Sequence, residues 1–211
     1  PQSTGYFVGG VIDGEIYVTR GRNLPYDGAT YRYSPLLDEW FTVTSDPVSP
    51  GSYQQMGATL DGLFYVIGGV VNGFGDVADN RAYNPVKNTW DDTLEPMPTP
   101  RRNGTAQAVG GKIYVIGGRH NVPLTTTEAY DPSTDTWDTS IAQMPTARQG
   151  IASAVHDGKI YVFDGIIAPV PTRIAEVYDP VADEWSSVPA PPTAKTSAWA
   201  ATLDDKIYLV G

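Results

Sequence analysis

A nine-residue phrase recurs along the chain as DGLFYVIGG at 61–69, GGKIYVIGG at 110–118 and DGKIYVFDG at 157–165. Its tyrosine stands at Tyr17, Tyr65, Tyr114, Tyr161 and Tyr208, at intervals of 48, 49, 47 and 47 residues. A fixed period of this length means that each cycle is one supersecondary unit, which buries its apolar face only by packing on its neighbours. A second marker keeps the period. In YSPLLDEW, YNPVKNTW, YDPSTDTW and YDPVADEW, the residues Tyr33, Tyr83, Tyr130 and Tyr178 precede Trp40, Trp90, Trp137 and Trp185 by seven positions. A third marker, MPTPRRNG, MPTARQG or PPTAKTS, leads into the small-residue stretches TAQAV, IASAV and AWAAT.

Each cycle reads as four short strands. The small-residue strand meets the KIYV strand through a tight turn carrying Asp-Gly or Gly-Gly, as a hairpin requires. The third strand ends at Tyr-x-Pro, where proline stops the ladder, and a turn such as STDT leads to the fourth strand, begun by the tryptophan. No segment has helical periodicity with caps, so the chain is all-β. Small residues suit the crowded inner edge of a radial array, and the tyrosines and tryptophans fill the wedge that opens outward. The four tryptophans are therefore expected in equivalent, largely buried positions between sheets. The pairs Gly68–Gly69 and Gly117–Gly118 let the backbone pass where a Cβ would clash, and the motif loosens to Asp164–Gly165.

Composition narrows the chemistry. The absence of cysteine excludes disulfides, thiolate metal sites and cysteine nucleophiles, and leaves the compartment open. A net charge of −10 argues against nucleic acid and anionic membrane surfaces as partners, and no apolar run is long enough to span a bilayer as a helix.

The glycine pair after IYVI, the Tyr-x-Pro with tryptophan seven residues on, and the period near fifty together resemble the kelch repeat over essentially the whole chain. The resemblance implies a kelch-type β-propeller of four-stranded blades, with the small-residue strand innermost and the tryptophan strand outermost. Its blades would span 5–48, 51–95, 104–142 and 150–188, with a half-blade at 197–211. Four residues ahead of the first strand cannot supply the two missing strands of that half-blade. A larger ring or an open-ended assembly is therefore expected, with homo-association through the half-blade as one outcome.

The resemblance also directs attention to the loops between second and third strands and between blades, which share one end of the blades. Arg102 and Arg148 each stand two residues before the glycine that opens an inner strand, with Lys195 at the matching place. This is similar to the arginines with which some kelch domains hold acidic peptide motifs, although Thr4 and Ser52 break the series and such arginines also brace loop carbonyls. The variable loops add Tyr26, Phe74, Arg119, His120, Asn121 and Arg173 as an aromatic and polar rim for a peptide or a sugar. Structural roles fall to Tyr65, Tyr114, Tyr161, the four tryptophans and the glycine pairs.

Catalytic signals are sparse. His120 belongs to the loop end and His156 to a turn at the opposite end, so they do not cooperate. A radical copper oxidase of the galactose oxidase type needs a cysteine-crosslinked tyrosine, which this chain cannot form. The stretch NGFGDVADN at 72–80 has oxygen ligands without EF-hand spacing, and NGT at 103–105 is a glycosylation sequon. No cofactor or metal is expected. The reading favoured is a non-catalytic binding module for a protein or glycan, with two alternatives: a self-assembling repeat, or a sugar-modifying enzyme of the sialate epimerase kind.

Overall fold

A computed structural model of the chain describes residues 7–19, 28–47, 52–71, 73–167 and 169–211. Two compact units divide it, Pro1–Arg102 and Asn103–Gly211, and every regular element among the described residues is a β-strand.

In the first unit, β1 (Val8–Ile12), β2 (Glu15–Thr19), β3 (Thr30–Ser34) and β4 (Glu39–Val43) form one antiparallel sheet in chain order. The second sheet holds β5 (Met56–Leu60) and β6 (Leu63–Ile67), then, after a two-residue-stranded hairpin of β7 (Val70–Val71) and β8 (Gly75–Asp76), β9 (Asn80–Asn84) and β10 (Thr89–Asp91).

The second unit repeats the plan. One sheet is β11 (Thr105–Val109), β12 (Lys112–Ile116), β15 (Thr127–Asp131) and β16 (Thr136–Asp138), with β13 (Arg119–His120) and β14 (Val122–Pro123) as the extra hairpin. The next is β17 (Ala152–His156), β18 (Lys159–Phe163), β21 (Ala175–Asp179) and β22 (Glu184–Ser187), with β19 (Ile166–Ile167) and β20 (Val170–Pro171). A two-stranded sheet, β23 (Trp199–Leu203) with β24 (Lys206–Val210), follows. The four-stranded cycle read from the sequence is thus present, and the small extra hairpins are an addition to it.

The seven-residue spacing has a direct geometric cause. Tyr33, Tyr83, Tyr130 and Tyr178 lie opposite Trp40, Trp90, Trp137 and Trp185 in register across the third hairpin of each blade. Their rings meet at centroid distances of 5.1, 5.4, 5.1 and 5.2 Å, the tilted geometry that aromatic pairs prefer. Each turn between them is closed by a residue in the left-handed region, Asp38, Asn88, Asp135 or Asp183. The tyrosine hydroxyl donates to that residue's side-chain oxygen in every blade, so the aspartates of these turns are structural.

Blades pack through the other tyrosine. Tyr17 meets Tyr83, and Tyr114 meets Tyr178, both at 5.7 Å. Around these pairs lie Val8, Ile12, Phe64 and Val66 in the first unit, and Ile116, Met144, Ile160 and Val162 in the second. The tryptophans are less buried than expected. Trp40 is 46% exposed, and Trp90, Trp137 and Trp185 are half-buried, because the outermost strand leaves one indole edge in water. Trp90 and Trp185 instead use their N–H to tie blades together, donating to the Thr44 and Ala142 carbonyls, each at 3.0 Å.

Candidate functional site

The turns that follow the second strands build the loop end of each blade. At Gly68 and Gly117 the backbone is left-handed, with φ of 61° and 59°. A Cβ would stand 2.5 Å from the Arg101 carbonyl at the first and 2.9 Å from the Arg148 carbonyl at the second, so glycine is required at both. The next residue donates its N–H to the connector between blades, Gly69 to Arg101, Gly118 to Arg148 and Gly165 to Lys195.

These contacts correct the alignment read from the sequence. Arg101, not Arg102, is the counterpart of Arg148 and Lys195, because the connector PRRNG is one residue longer than ARQG. Counting from the preceding methionine identifies it, since Arg101 and Arg148 each lie four residues after Met97 and Met144. Arg102 points elsewhere and pairs with Asp76 on the β7–β8 hairpin.

Arg148 is a second correction. Its side chain is fully buried, where it donates to the Asp164 and Ile174 carbonyls at 2.8 and 2.9 Å and to Glu176 Oε2 at 2.6 Å. Thr146 holds the other Glu176 oxygen at 2.8 Å. Burial pulls the guanidinium pKa below its usual value, opposed by Glu176. This geometry makes Arg148 a brace of the fold, and it cannot reach a ligand from there.

The connector also ties the small hairpins into a second tier. Arg148 N–H donates to Leu124 at 3.1 Å, and Gln149 and Ile166 exchange backbone hydrogen bonds of 3.3 and 2.8 Å. Two adjacent hairpins, β13–β14 and β19–β20, are thereby fixed on either side of Arg148–Gln149. Tyr53 and Val70 make the equivalent backbone exchange in the first unit, at 3.1 and 2.9 Å.

This tier presents most of the rim residues anticipated. His120 and Asn121 are exposed at the β13–β14 turn, Arg119 is half-buried beside them, and Arg173 is exposed. Arg173 Nε donates to the Pro191 carbonyl at 2.8 Å. Lys195 is half-buried, its ammonium bonded to the Gly211 carbonyl. Phe74 is 81% exposed on the first unit's hairpin. Tyr26 lies outside the described residues. His156 ends β17, close to the Tyr161 ring and at the end of the blade opposite His120.

The burial of the Asp164 carboxylate had not been anticipated. Asp164 replaces the first glycine of the pair and is 1% exposed, with a left-handed φ of 55°. Neither oxygen makes a hydrogen bond of ordinary geometry. Burial pushes its pKa up, against the nearby charges of Arg148, Lys195 and Arg173. The departure from Gly-Gly at this position was its only sequence signal.

Charge in Asn103–Gly211 is sorted by end. Its solvent-reaching carboxylates lie at or within a few residues of the turns between first and second or third and fourth strands. They include Asp157, Asp204 and Asp205 at the former, and Asp131, Asp135, Asp138, Asp179, Asp183 and Glu184 at the latter. Several are held below the usual carboxylate range: Asp131 by Ser133, Asp138 by Ser140 and Asp179 by Lys159. The loop end of the same unit carries Arg119, His120, Arg173 and Lys195. Its acidic groups, Glu128, Asp164 and Glu176, are buried. Antiparallel strands enforce this separation, since every turn of one kind falls at the same end.

A family profile described as the KLHDC2/KLHL20/DRC7 Kelch-repeats domain matches residues 6–211. Kelch-like protein 21 of Danio rerio is 34% identical over 89 residues, covering 42% of this chain and 13% of that protein. The human Kelch-like protein 21 is 35% identical over 89 residues, covering 42% and 14%. An F-box/kelch-repeat protein of Arabidopsis thaliana is 31% identical over 126 residues, covering 57% and 32%. The chain thus spans a third or less of the length of these relatives. Among solved structures, YjhT superposes with a TM-score of 0.85 at 19% identity, covering 99% of this chain and 72% of that one.

Proposed function

The chain belongs to the kelch-repeat family of β-propellers, and on that premise we propose that it is a non-catalytic interaction module whose loop end recognises a carboxylate-bearing protein partner. The observation that carries this reading is the sorting of charge in Asn103–Gly211. A chain of net charge −10 keeps its exposed carboxylates at one end of these blades and gathers Arg119, His120, Arg173 and Lys195 at the other. Local reversal of sign steers an acidic partner to that end and repels it from the rest. Charge-assisted hydrogen bonds to carboxylates then supply orientation.

The hairpins add apolar contact at the same end. Val122 and Val170, at corresponding hairpins of adjacent blades, are each 62% exposed. Backbone-stitched hairpins hold such side chains without the entropy cost of ordering a free loop. In the first unit, Asp76 matches the charge of Arg102.

The test is an array of acidic and neutral peptides and glycans probed with the parent chain and with His120→Ala/Arg173→Ala. We expect an acidic peptide to bind best, its affinity to fall as salt is raised, and the double variant to bind it at least tenfold more weakly. A best ligand that is neutral, a preference for acidic glycans over every peptide, or a double variant that binds like the parent would overturn the reading.

A further inference from the structure

We propose that Asp164 is a proton-operated latch for the β19–β20 hairpin: the neutral carboxyl lets the hairpin sit closed on its blade, and the carboxylate favours its opening. The latch sets how firmly the loop end is presented, and in that use it rests on the recognition reading above.

The small hairpins β7–β8, β13–β14 and β19–β20 share one mount. Its first residue donates an N–H to the segment that re-enters the blade: Gly68 to Asp79, Gly117 to Thr126 and Asp164 to Ile174, each at 2.8 Å. All three mount residues are left-handed, with φ of 61°, 59° and 55°. The second residue donates to the connector, Gly69 to Arg101 and Gly118 to Arg148 at 2.9 Å, and Gly165 to Lys195 at 3.2 Å. At Gly117 an added Cβ would stand 2.9 Å from the Arg148 carbonyl and 3.0 Å from the Ile151 and Met144 side chains. Asp164 carries that Cβ and a carboxyl besides, and its connector bond is the longest of the three.

The carboxyl is enclosed without donors. Asp164 is 1% exposed, and neither oxygen accepts a hydrogen bond of ordinary geometry. The charged groups facing it are Arg148 from the preceding connector, Lys195 from the following one and Arg173 from the approach to β21. Each bonds elsewhere: Arg148 to Glu176 and two carbonyls, Lys195 to the Gly211 carbonyl and Arg173 to the Pro191 carbonyl. These cations and the Lys195 N–H favour the carboxylate, but burial outweighs them and holds the pKa above 3.8. Without donors, the ionised form is the costlier one to enclose.

Opening the hairpin hydrates Asp164 and returns its pKa toward 3.8. The closed form therefore binds the proton more tightly than the open one. Closure is favoured below the open-state value, and that advantage is lost as pH rises through the closed-state one. A hairpin of two-residue strands opens as a local unit, and Gly68 and Gly117 leave the other two hairpins without this dependence. Val170 of β20 and Arg173 just beyond it keep their places at the loop end only while the hairpin is closed.

Backbone amide exchange of the chain alone tests the latch without any ligand, so its result stands whether or not an acidic peptide binds the loop end. The reporters are the Ile166 N–H, bonded to Gln149 at 2.8 Å, and the Thr172 N–H, bonded to Gly165 at 2.9 Å. The Leu124 N–H, bonded to Gly118 at 2.9 Å, is the matching control in β13–β14. After correction for the intrinsic pH dependence of exchange, protection of Ile166 and Thr172 should rise severalfold from pH 7 to pH 4 while Leu124 stays level. In Asp164→Asn, and in Asp164→Gly, which restores the residue of the other mounts, the rise should vanish. Protection of the parent that does not change with pH, a rise matched at Leu124, or a rise that survives either substitution would each overturn the proposal.

Discussion

The junction of the first two blades and the junction of the third and fourth are built on one skeleton with opposite charges. In both, a second-strand tyrosine meets the next blade's third-strand tyrosine at 5.7 Å. In both, a tryptophan N–H reaches back to the previous blade at 3.0 Å. The turn residue beside it, Asn88 or Asp183, accepts a backbone N–H from that same blade at 3.0 or 2.8 Å. Beneath this skeleton each junction buries one ion pair. In the second unit the connector supplies the cation and the third strand the anion, as Arg148–Glu176 at 2.6 Å. In the first unit the connector supplies the anion and the strand the cation, as Asp46–Arg81 at 2.5 Å. Asp46 takes the place of Met144, and Arg81 the place of Glu176. Backbone geometry dictates that the two groups meet there, and low dielectric dictates only that their signs oppose.

Either junction should fail most severely when the signs of its buried pair are made alike. Arg81→Glu buries two carboxylates, and Glu176→Arg two guanidinium groups, so each should cost at least the 3–5 kcal/mol of a broken buried pair. Denaturant midpoints measure the loss, and hydrogen exchange assigns it to the unit that carries the substitution. A loss confined to the other unit would refute the assignment of these junctions.

Apolar replacement separates the two pairs. Asp46→Leu with Arg81→Met should recover most of what either single change loses, since well-packed apolar pairs commonly match buried ion pairs. Arg148→Met with Glu176→Leu should recover less, because the Asp164 carbonyl loses its Arg148 donor, at a cost of about 1–3 kcal/mol, whereas the Ile174 carbonyl keeps the Asp164 N–H at 2.8 Å. Double-mutant cycles in urea decide it. Equal recovery in both would show the carbonyl contacts to be energetically idle.

A smaller effect tests the shared skeleton. Trp90→Phe and Trp185→Phe each remove one inter-blade hydrogen bond, worth about 0.5–1.5 kcal/mol, and the two losses should agree. Trp40→Phe should cost less, since that ring is already 46% exposed.

The smallest change turns on Asp164, where the fourth blade departs from Gly68 and Gly117. Its folded pKa is raised from 3.8, chiefly by burial. The folded state therefore favours the protonated group: the associated stability is present below the unfolded value and is lost as pH rises through the folded one. Asp164→Asn, which tolerates the left-handed backbone, should raise the melting temperature at pH 7, with the gain shrinking toward pH 3. A gain that grows on acidification would show that the surrounding cations outweigh burial.

Legibility followed the range of the interaction. The tyrosine–tryptophan spacing and the glycine pairs were readable because each is set within a hairpin, where a few residues fix both partners. Arg102 was misplaced because the connector between blades varies by one residue, so counting back from the glycine fails where counting on from Met97 agrees with the Gly69–Arg101 hydrogen bond. Burial of Arg148 was unreadable for a related reason. Its partner Glu176 lies 28 residues on and belongs to no shared motif.

The all-β repeat, its period, the four-strand cycle and the residues that turn each hairpin were legible in the residues alone, since these depend on local backbone preference and on alternation along a strand. Packing settles which cations are braces and which reach solvent, that the tryptophans stay half-exposed, and that Asp164 is buried near the charges of Arg148, Arg173 and Lys195. Those outcomes depend on which side chains from distant cycles are excluded from water together. Desolvation is a property of the packed neighbourhood, and no single stretch of the chain contains it.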